Sequence, residues 1–160
     1  MKELSVERKA RIIEGMSSYI PHAKHQGICL ERIEGERLTL KMPYRKELVG
    51  NPETGALHGG VLTVLLDQTL GIACIVSDEV GPVMTPTLDL RIDHLGIAPP
   101  GLDIYATAWV YKATRRVVFI EGFAYCESPD KPIARATGTW VQMAEINLSG
   151  LGEKTRGQQA

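Results

Sequence analysis

The stretch NPETGALHGGVLTVLLDQTLGIACIVS, residues 51–77, joins a turn-rich opening to a long apolar run that contains one carboxylate, Asp67. The run predicts a buried helix from about His58 to Ser77. It approaches the length of a membrane span, but a Gly-Gly pair, Thr63 and Asp67 interrupt it, which favours the core helix of a soluble protein. Because burying an unpaired charge costs several kcal/mol, Asp67 needs a structural or a functional reason.

The segments before and after this stretch show either helical or strand periodicity. Ser5–Ile20 carries apolar residues at three- and four-residue spacing, which predicts an amphipathic helix stopped by Pro21. Residues 28–42 predict two short strands around a Glu34-Gly35 turn, and residues 43–57, rich in proline and glycine, predict a long loop. After the long helix the pattern predicts four strands, over residues 85–95, 102–112, 116–127 and 133–145.

The order of these elements predicts a single domain spanning residues 1–160. Tight turns join the later strands, so we expect a mainly antiparallel sheet with one face against a core and the long helix in that core. The folded part is expected over about residues 5–147, and the polar tail, 148–160, is expected to be disordered.

Composition narrows the function classes. The chain is 44% hydrophobic with a formal net charge of -1, so nothing indicates a basic nucleic-acid-binding surface. The three cysteines are widely spaced and odd in number, which favours reduced thiols in a cytoplasmic protein. The charged N-terminus lacks the apolar segment of a secretory signal, and we expect no membrane association. His22 and His25 have no accompanying ligand cluster, so no metal is expected.

One face of the predicted long helix consists of small residues around the carboxylate. At about 100° per residue, Asp67 shares this face with Gly60, Thr63, Gly71 and Cys74. Small residues allow another backbone or a ligand to approach closely. Two interpretations of Asp67 stay open here: it pairs with a neighbouring element, or it serves a site on this face. Cys74 is expected to be a small core residue and not a nucleophile.

The start of the same helix offers hydrogen-bond donors. Gly59 and Gly60 lie where backbone N–H groups have no intrahelical partner, and the helix dipole adds partial positive charge there. Such a cradle suits a developing oxyanion. With Asn51 just upstream and a carboxylate that can direct water, the combination favours acyl transfer or hydrolysis.

The segment HGGVLTVLLDQTLG, residues 58–71, resembles the motif of the hotdog-fold acyl-CoA thioesterases of the phenylacetate-pathway (PaaI-like) type. The resemblance extends over nearly the whole folded chain. It implies an α+β hotdog fold, with an antiparallel sheet of about five to six strands wrapped around one long central helix and an extra N-terminal helix. The implied activity is hydrolysis of an acyl-CoA thioester, for which we expect no cofactor. The implied assembly is a homodimer in which the two sheets join and each active site draws on both chains, assembling further to a homotetramer.

The resemblance assigns roles to individual residues. Asp67 matches the catalytic carboxylate, acting as general base on water or as nucleophile. Gly59 matches the backbone N–H that polarises the thioester carbonyl, Asn51 an asparagine that assists near it, and His58 a supporting hydrogen-bonder. Thr87 falls where some members have a serine that helps to hold the water. The loop before the histidine is one residue longer than the family's usual spacing, and Thr87 adds a methyl group to the hydroxyl.

Substrate binding is expected to involve Gly60, in the same cradle, and a basic pair, Arg115 and Arg116. The pair lies near a predicted hairpin, where it is either a solvated turn or a grip on a coenzyme A phosphate, since guanidinium groups match phosphate geometry. His94, on a predicted strand, is expected to be structural or to line a pocket.

Two alternatives to a thioesterase remain open. Another hotdog enzyme, such as an enoyl-CoA hydratase or dehydratase, usually needs a catalytic histidine with a carboxylate in a different arrangement. A non-catalytic acyl-CoA-binding protein would not need Asp67 and Gly59.

Overall fold

The computed structural model describes residues 4–143, which form one antiparallel sheet around a long helix. The predicted tail therefore lies outside the described residues. The described residues contain eight strands and three α-helices, which follow in this order: α1 (Val6–Tyr19), α2 (Pro21–Gln26), β1 (Cys29–Glu34), β2 (Arg37–Met42), β3 (Val49–Asn51), β4 (Ala56–Leu57), α3 (Gly59–Val76), β5 (Thr87–His94), β6 (Ile104–Ala113), β7 (Val117–Tyr125) and β8 (Ala134–Val141). The main sheet has six strands in the order β1-β2-β6-β7-β8-β5, and β3 and β4 form a small second sheet.

Helix α3 is the centre of the core, as the apolar run predicts. The His58 side chain caps its N-terminus and Ser77 ends it, close to the predicted bounds. Its buried side packs mainly on β6, β7 and β2. Gly122 on β7 leaves room for this packing, because a Cβ there would lie 3.0 Å from Leu70 Cδ1 of α3 and 2.6 Å from the carbonyl oxygen of Thr107 on β6. The helix is long and apolar enough to cross a membrane, but most of it is buried in the protein.

The N-terminal helix is confirmed, and a short helix follows it. Ser5 Oγ accepts the Arg8 N–H at 3.3 Å and caps α1, whose residues Ile12 and Ile13 are buried. The expectation that Pro21 ends helical structure is incomplete, because Pro21 begins α2. Proline suits the first turn of a helix, where its missing N–H would have had no intrahelical partner.

The loop prediction for residues 43–57 is also incomplete. A single 3-10 turn, Lys46–Leu48, leads into the β3–β4 pair. Gly50 allows this pair to approach the start of α3, because a Cβ there would lie 2.6 Å from the Cα of His58. Strands of two and three residues are too short to produce a period-two pattern that sequence reasoning can detect.

Strand β5 forms an edge of the main sheet. Within the described part of the chain it pairs only with β8, whereas the opposite edge strand, β1, packs against α1. Leu90 and Ile92 are half-buried as the alternation predicts, but Leu88 is 58% exposed beside an irregularity in the register. An exposed edge strand with a large apolar side chain is a surface that can pair with another chain.

Candidate functional site

Asp67 lies half-buried in the middle of α3 and has a polar neighbour. Thr87, the first residue of β5, donates its Oγ1 hydroxyl to Asp67 Oδ1 at 2.9 Å. The structure thus brings together two residues that lie 20 positions apart in the sequence. One carboxylate oxygen is held by this bond, and the other accepts no hydrogen bond from residues 4–143. A carboxylate in this arrangement is oriented and still able to accept a proton.

Asp67 and Thr87 line a cleft of about 370 Å³. The rest of its lining is mostly apolar and comes from α1, α3, β8 and the segment before β5: Met16, Ile20, Gln68, Gly71, Ile72, Ile75, Met84, Thr85, Pro86 and Trp140. A largely apolar cleft with a few converging polar groups is the usual form of a small-molecule site. Sequence reasoning missed this lining, although Met16 and Ile20 at four-residue spacing were a detectable signal.

The start of α3 forms a second polar site. His58 Nδ1 accepts the Gly60 N–H at 2.9 Å, so His58 caps the helix and occupies the Gly60 donor. Among the described residues no group accepts a hydrogen bond from the Gly59 N–H. Gly59 therefore offers the open donor at this terminus, where the helix dipole favours negative charge. His58 and Gly60 line a separate cleft of about 330 Å³.

Two further side chains border this helix start. His94, at the end of β5, lies against Gly59, because a Cβ built on Gly59 would be 3.5 Å from His94 Cε1. Asn51 ends β3, and its Oδ1 accepts the Glu53 N–H at 3.0 Å. The turn thus uses the Asn51 oxygen, and its amide nitrogen keeps two donors for other partners.

Within one chain, the carboxylate and the open donor are too far apart to act on the same carbonyl group. Gly59 and Asp67 are eight residues apart on α3, which corresponds to a rise of about 12 Å. To act together, Asp67 would have to hold a water and the Gly59 N–H would have to hold the carbonyl oxygen that this water attacks. Each of these contacts is only about 3 Å long. Asp67 lines the apolar cleft, whereas the neighbours of Gly59 in the chain, His58 and Gly60, line the other one.

Arg115 and Arg116 lie in the exposed β6–β7 turn, away from both clefts. They share one end of the sheet with Thr87, because Thr87 pairs with Trp140 on β8 and Trp140 pairs with Val118 on β7. Two strand spacings, about 10 Å, separate the Thr87 and Val118 positions.

The cysteines and histidines do not form a second chemical centre in the described residues. Cys74 is fully buried, so it departs from the exposed small-residue face, and burial raises the pKa of its thiol to about 12. A thiol with such a pKa is not a nucleophile near neutral pH. Residues 4–143 contain no group of three or more His, Cys, Asp or Glu side chains arranged to hold a metal ion.

Comparisons with known proteins agree on one superfamily. The family model described as "Thioesterase superfamily" matches residues 54–133. The medium/long-chain acyl-CoA thioesterase YigI of Escherichia coli strain K12 is 31% identical over 105 residues, which cover 58% of this chain and 68% of YigI.

Solved structures show the same fold. A protein from Pseudomonas aeruginosa is 39% identical with a TM-score of 0.71, and the match covers 86% of this chain and 98% of that one. The PaaI protein of the E. coli phenylacetic acid degradation operon, 20% identical, reaches a TM-score of 0.76 over 89% of this chain and 99% of its own, and shows likeness of fold.

Proposed function

This chain belongs to the thioesterase superfamily, and from that premise we propose that it hydrolyses acyl-CoA thioesters to a free acid and coenzyme A. Its architecture, a six-stranded antiparallel sheet around α3 with an N-terminal helix, confirms the predicted hotdog fold. The observation that carries the proposal is the Asp67 carboxylate, oriented by Thr87 at the polar end of an apolar cleft. The similarity to YigI, a medium/long-chain acyl-CoA thioesterase, supports medium- or long-chain acyl groups as substrates.

Asp67 acts on the thioester carbonyl in one of two ways. As general base, it takes a proton from water while the water oxygen bonds to the carbonyl carbon. As nucleophile, a carboxylate oxygen bonds to that carbon itself, and water later hydrolyses the resulting anhydride. In both routes the carbonyl oxygen gains negative charge, the carbon–sulfur bond breaks, and the sulfur leaves as a thiolate that takes up a proton. The Gly59 N–H stabilises the charged oxygen.

The distance between Asp67 and Gly59 supports a site built from two protomers. Two copies that pair antiparallel through β5 bring the Gly59 end of one protomer to the Asp67 end of the other. Such an interface is self-complementary, as a two-fold symmetric dimer requires. Asn51 and His58 then lie beside Gly59 in the shared site. We also propose that these dimers assemble further into a tetramer.

Substrate recognition and location complete the proposal. Arg115 and Arg116 bind phosphates of coenzyme A. Their exposure at the Thr87 end of the sheet supports this role.

The protein acts in the cytoplasm. This location is supported by the three cysteines, which are all unbridged in the structure.

The experiment that tests the proposal is the substitution Asp67→Asn, which keeps the shape of the side chain and removes its basicity. We expect kcat with octanoyl-CoA to fall by about 10²- to 10⁴-fold, with little change in the melting temperature, because Asp67 is only half-buried. The matched control is Asp130→Asn, an exposed turn carboxylate. Near-normal turnover by a folded Asp67→Asn protein would remove Asp67 from the mechanism.

The same assays separate the alternatives. Hydration of an enoyl-CoA without thioester cleavage would identify a hydratase. Tight acyl-CoA binding by the unmodified protein with no turnover would identify a binding protein.

A further inference from the structure

The apolar cleft that begins at Asp67 continues along α3, and we propose that Gly71 and Met16 on its two walls determine which acyl-chain lengths the enzyme accepts. This inference rests on the proposed thioesterase function. Gly71 follows Asp67 by one helical turn and Ile75 follows by two, and all three line the cleft. The lining thus extends about 12 Å beyond the carboxylate. A long apolar groove that begins at the reacting group accommodates an unbranched acyl chain.

Because Gly71 has no side chain, the groove stays open where the acyl chain would pass the first helical turn of α3 beyond Asp67. A Cβ built there would lie 3.5 Å from Trp140 Nε1, an ordinary contact distance. Trp140 is 1% exposed and closes the groove behind this point. A methyl group at position 71 therefore fits the fold, whereas a longer side chain has to occupy cleft space between Gly71 and Trp140.

The opposite wall is provided by the C-terminal end of α1. Met16 and Ile20 lie four residues apart, so both face the groove, across from Ile72 and Ile75 of α3. Met16 is a flexible, unbranched side chain that adapts to irregular space. Its length determines how much of the groove stays open between α1 and α3.

An ion-pair cluster around the buried Lys9 side chain connects α1, which forms this wall, to the rest of the protein. Lys9 Nζ contacts Glu36 Oε1 at 3.0 Å and Asp78 Oδ2 at 3.1 Å, and the Lys9 side chain is 6% exposed. Burial lowers the pKa of Lys9, but its hydrogen bonds to Glu36 and Asp78 outweigh burial and hold the pKa above its usual range. Leu4 N–H also donates to Asp78 Oδ1 at 3.2 Å. Helix α1 is thus connected by ion pairs to the β1–β2 turn and to the segment after α3, which supports its position beside the groove.

The test is a series at position 71, Gly71→Ala, Gly71→Val and Gly71→Leu, assayed with butyryl-, octanoyl- and palmitoyl-CoA. We expect kcat/KM for the two longer esters to fall in that order, by about tenfold or more for Gly71→Leu. Butyryl-CoA should lose far less, because its chain ends before the first turn beyond Asp67. The graded series keeps the test valid if the largest substitution disturbs folding.

A second series of variants changes Met16, on the other wall of the groove. Met16→Ala should raise kcat/KM for palmitoyl-CoA relative to octanoyl-CoA, and Met16→Trp should lower it. The matched control is Glu14→Ala, on the exposed side of α1, which should keep the chain-length profile of the unmodified enzyme.

The outcomes separate the two proposals. If the unmodified enzyme cleaves none of the three esters, the thioesterase function itself fails. If it cleaves them, but the folded Gly71 and Met16 variants keep its palmitoyl-to-butyryl ratio, the acyl chain lies elsewhere and only the inference about the groove is overturned.

Discussion

At the scale of single residues, Asp67 has an environment that removes most of the cost of placing a charge in an apolar helix. The carboxylate is half-buried, lies on the small-residue face of α3, and accepts a hydrogen bond from Thr87. It lines a cleft next to the edge strand β5. Of the two interpretations left open by the sequence, pairing with a neighbouring element is thus correct, and it is compatible with the proposed catalytic role.

The Thr87 hydroxyl should matter through orientation of the carboxylate. Thr87→Val removes the donor to Asp67 Oδ1 but keeps the shape of the side chain. We expect kcat to fall by about 10- to 100-fold, since a hydrogen bond to a charged group is worth about 1.5–3 kcal/mol, with KM changed little. Thr87→Ser, which keeps the hydroxyl, should retain most of the activity. Equal kcat values for the unmodified enzyme and the valine variant would show that the bond has no catalytic effect.

The site residues divide into those that a sequence can indicate and those that it cannot. Asp67, His58 and Gly59 stand in one continuous segment whose pattern is informative. Trp140 and Met84 reach the same cleft from β8 and from the segment before β5. Their apolar side chains look like any other core residue along the chain, and only the pairing of β5 with β8 brings them to Asp67.

At the scale of elements, the periodic segments were predictable and the short ones were not. Helices α1 and α3 and the strands of the main sheet carry enough residues for their period to be recognised. Helix α2 has six residues, and strands β3 and β4 have three and two. Their structure depends on packing against neighbours, as where Gly50 meets His58.

The β6–β7 turn is the element expected to bind the nucleotide end of the substrate. Replacing both Arg115 and Arg116 by alanine should raise KM for acyl-CoA with a smaller effect on kcat, because these residues position the substrate without touching the reacting atoms. The salt dependence of KM should weaken as well, since fewer screened charge contacts remain.

The control for this prediction is an acyl-pantetheine thioester, which lacks the nucleotide. Its kinetics should respond little to the double substitution. If both substrates are affected equally, the two arginines support the structure of the turn and the coenzyme is held by other residues.

At the scale of the whole molecule, the proposed site requires two chains. Asp67→Asn in one protomer and Asn51→Ala in the other should complement each other, because one of the two sites in each mixed dimer carries both intact residues. We expect the mixed dimer, purified through two different tags, to recover activity that neither parent shows.

Subunit exchange has to be verified first, by recovery of both tags in one complex. A verified mixed dimer that is no more active than its parents would indicate that each site is built from a single chain. The predicted dimer would then need a different catalytic explanation.

The two tryptophans of the chain lie on opposite faces of the sheet. Trp140 borders the cleft beside Gly71, whereas Trp109 points to the other face, with the Arg37 guanidinium 4.0 Å from its ring centroid. Trp140 can therefore serve as an intrinsic fluorescence probe of the cleft. In a Trp109→Phe background, the emission of Trp140 should shift when an acyl chain displaces water from the cleft, and chain entry can then be followed in real time, separately from cleavage.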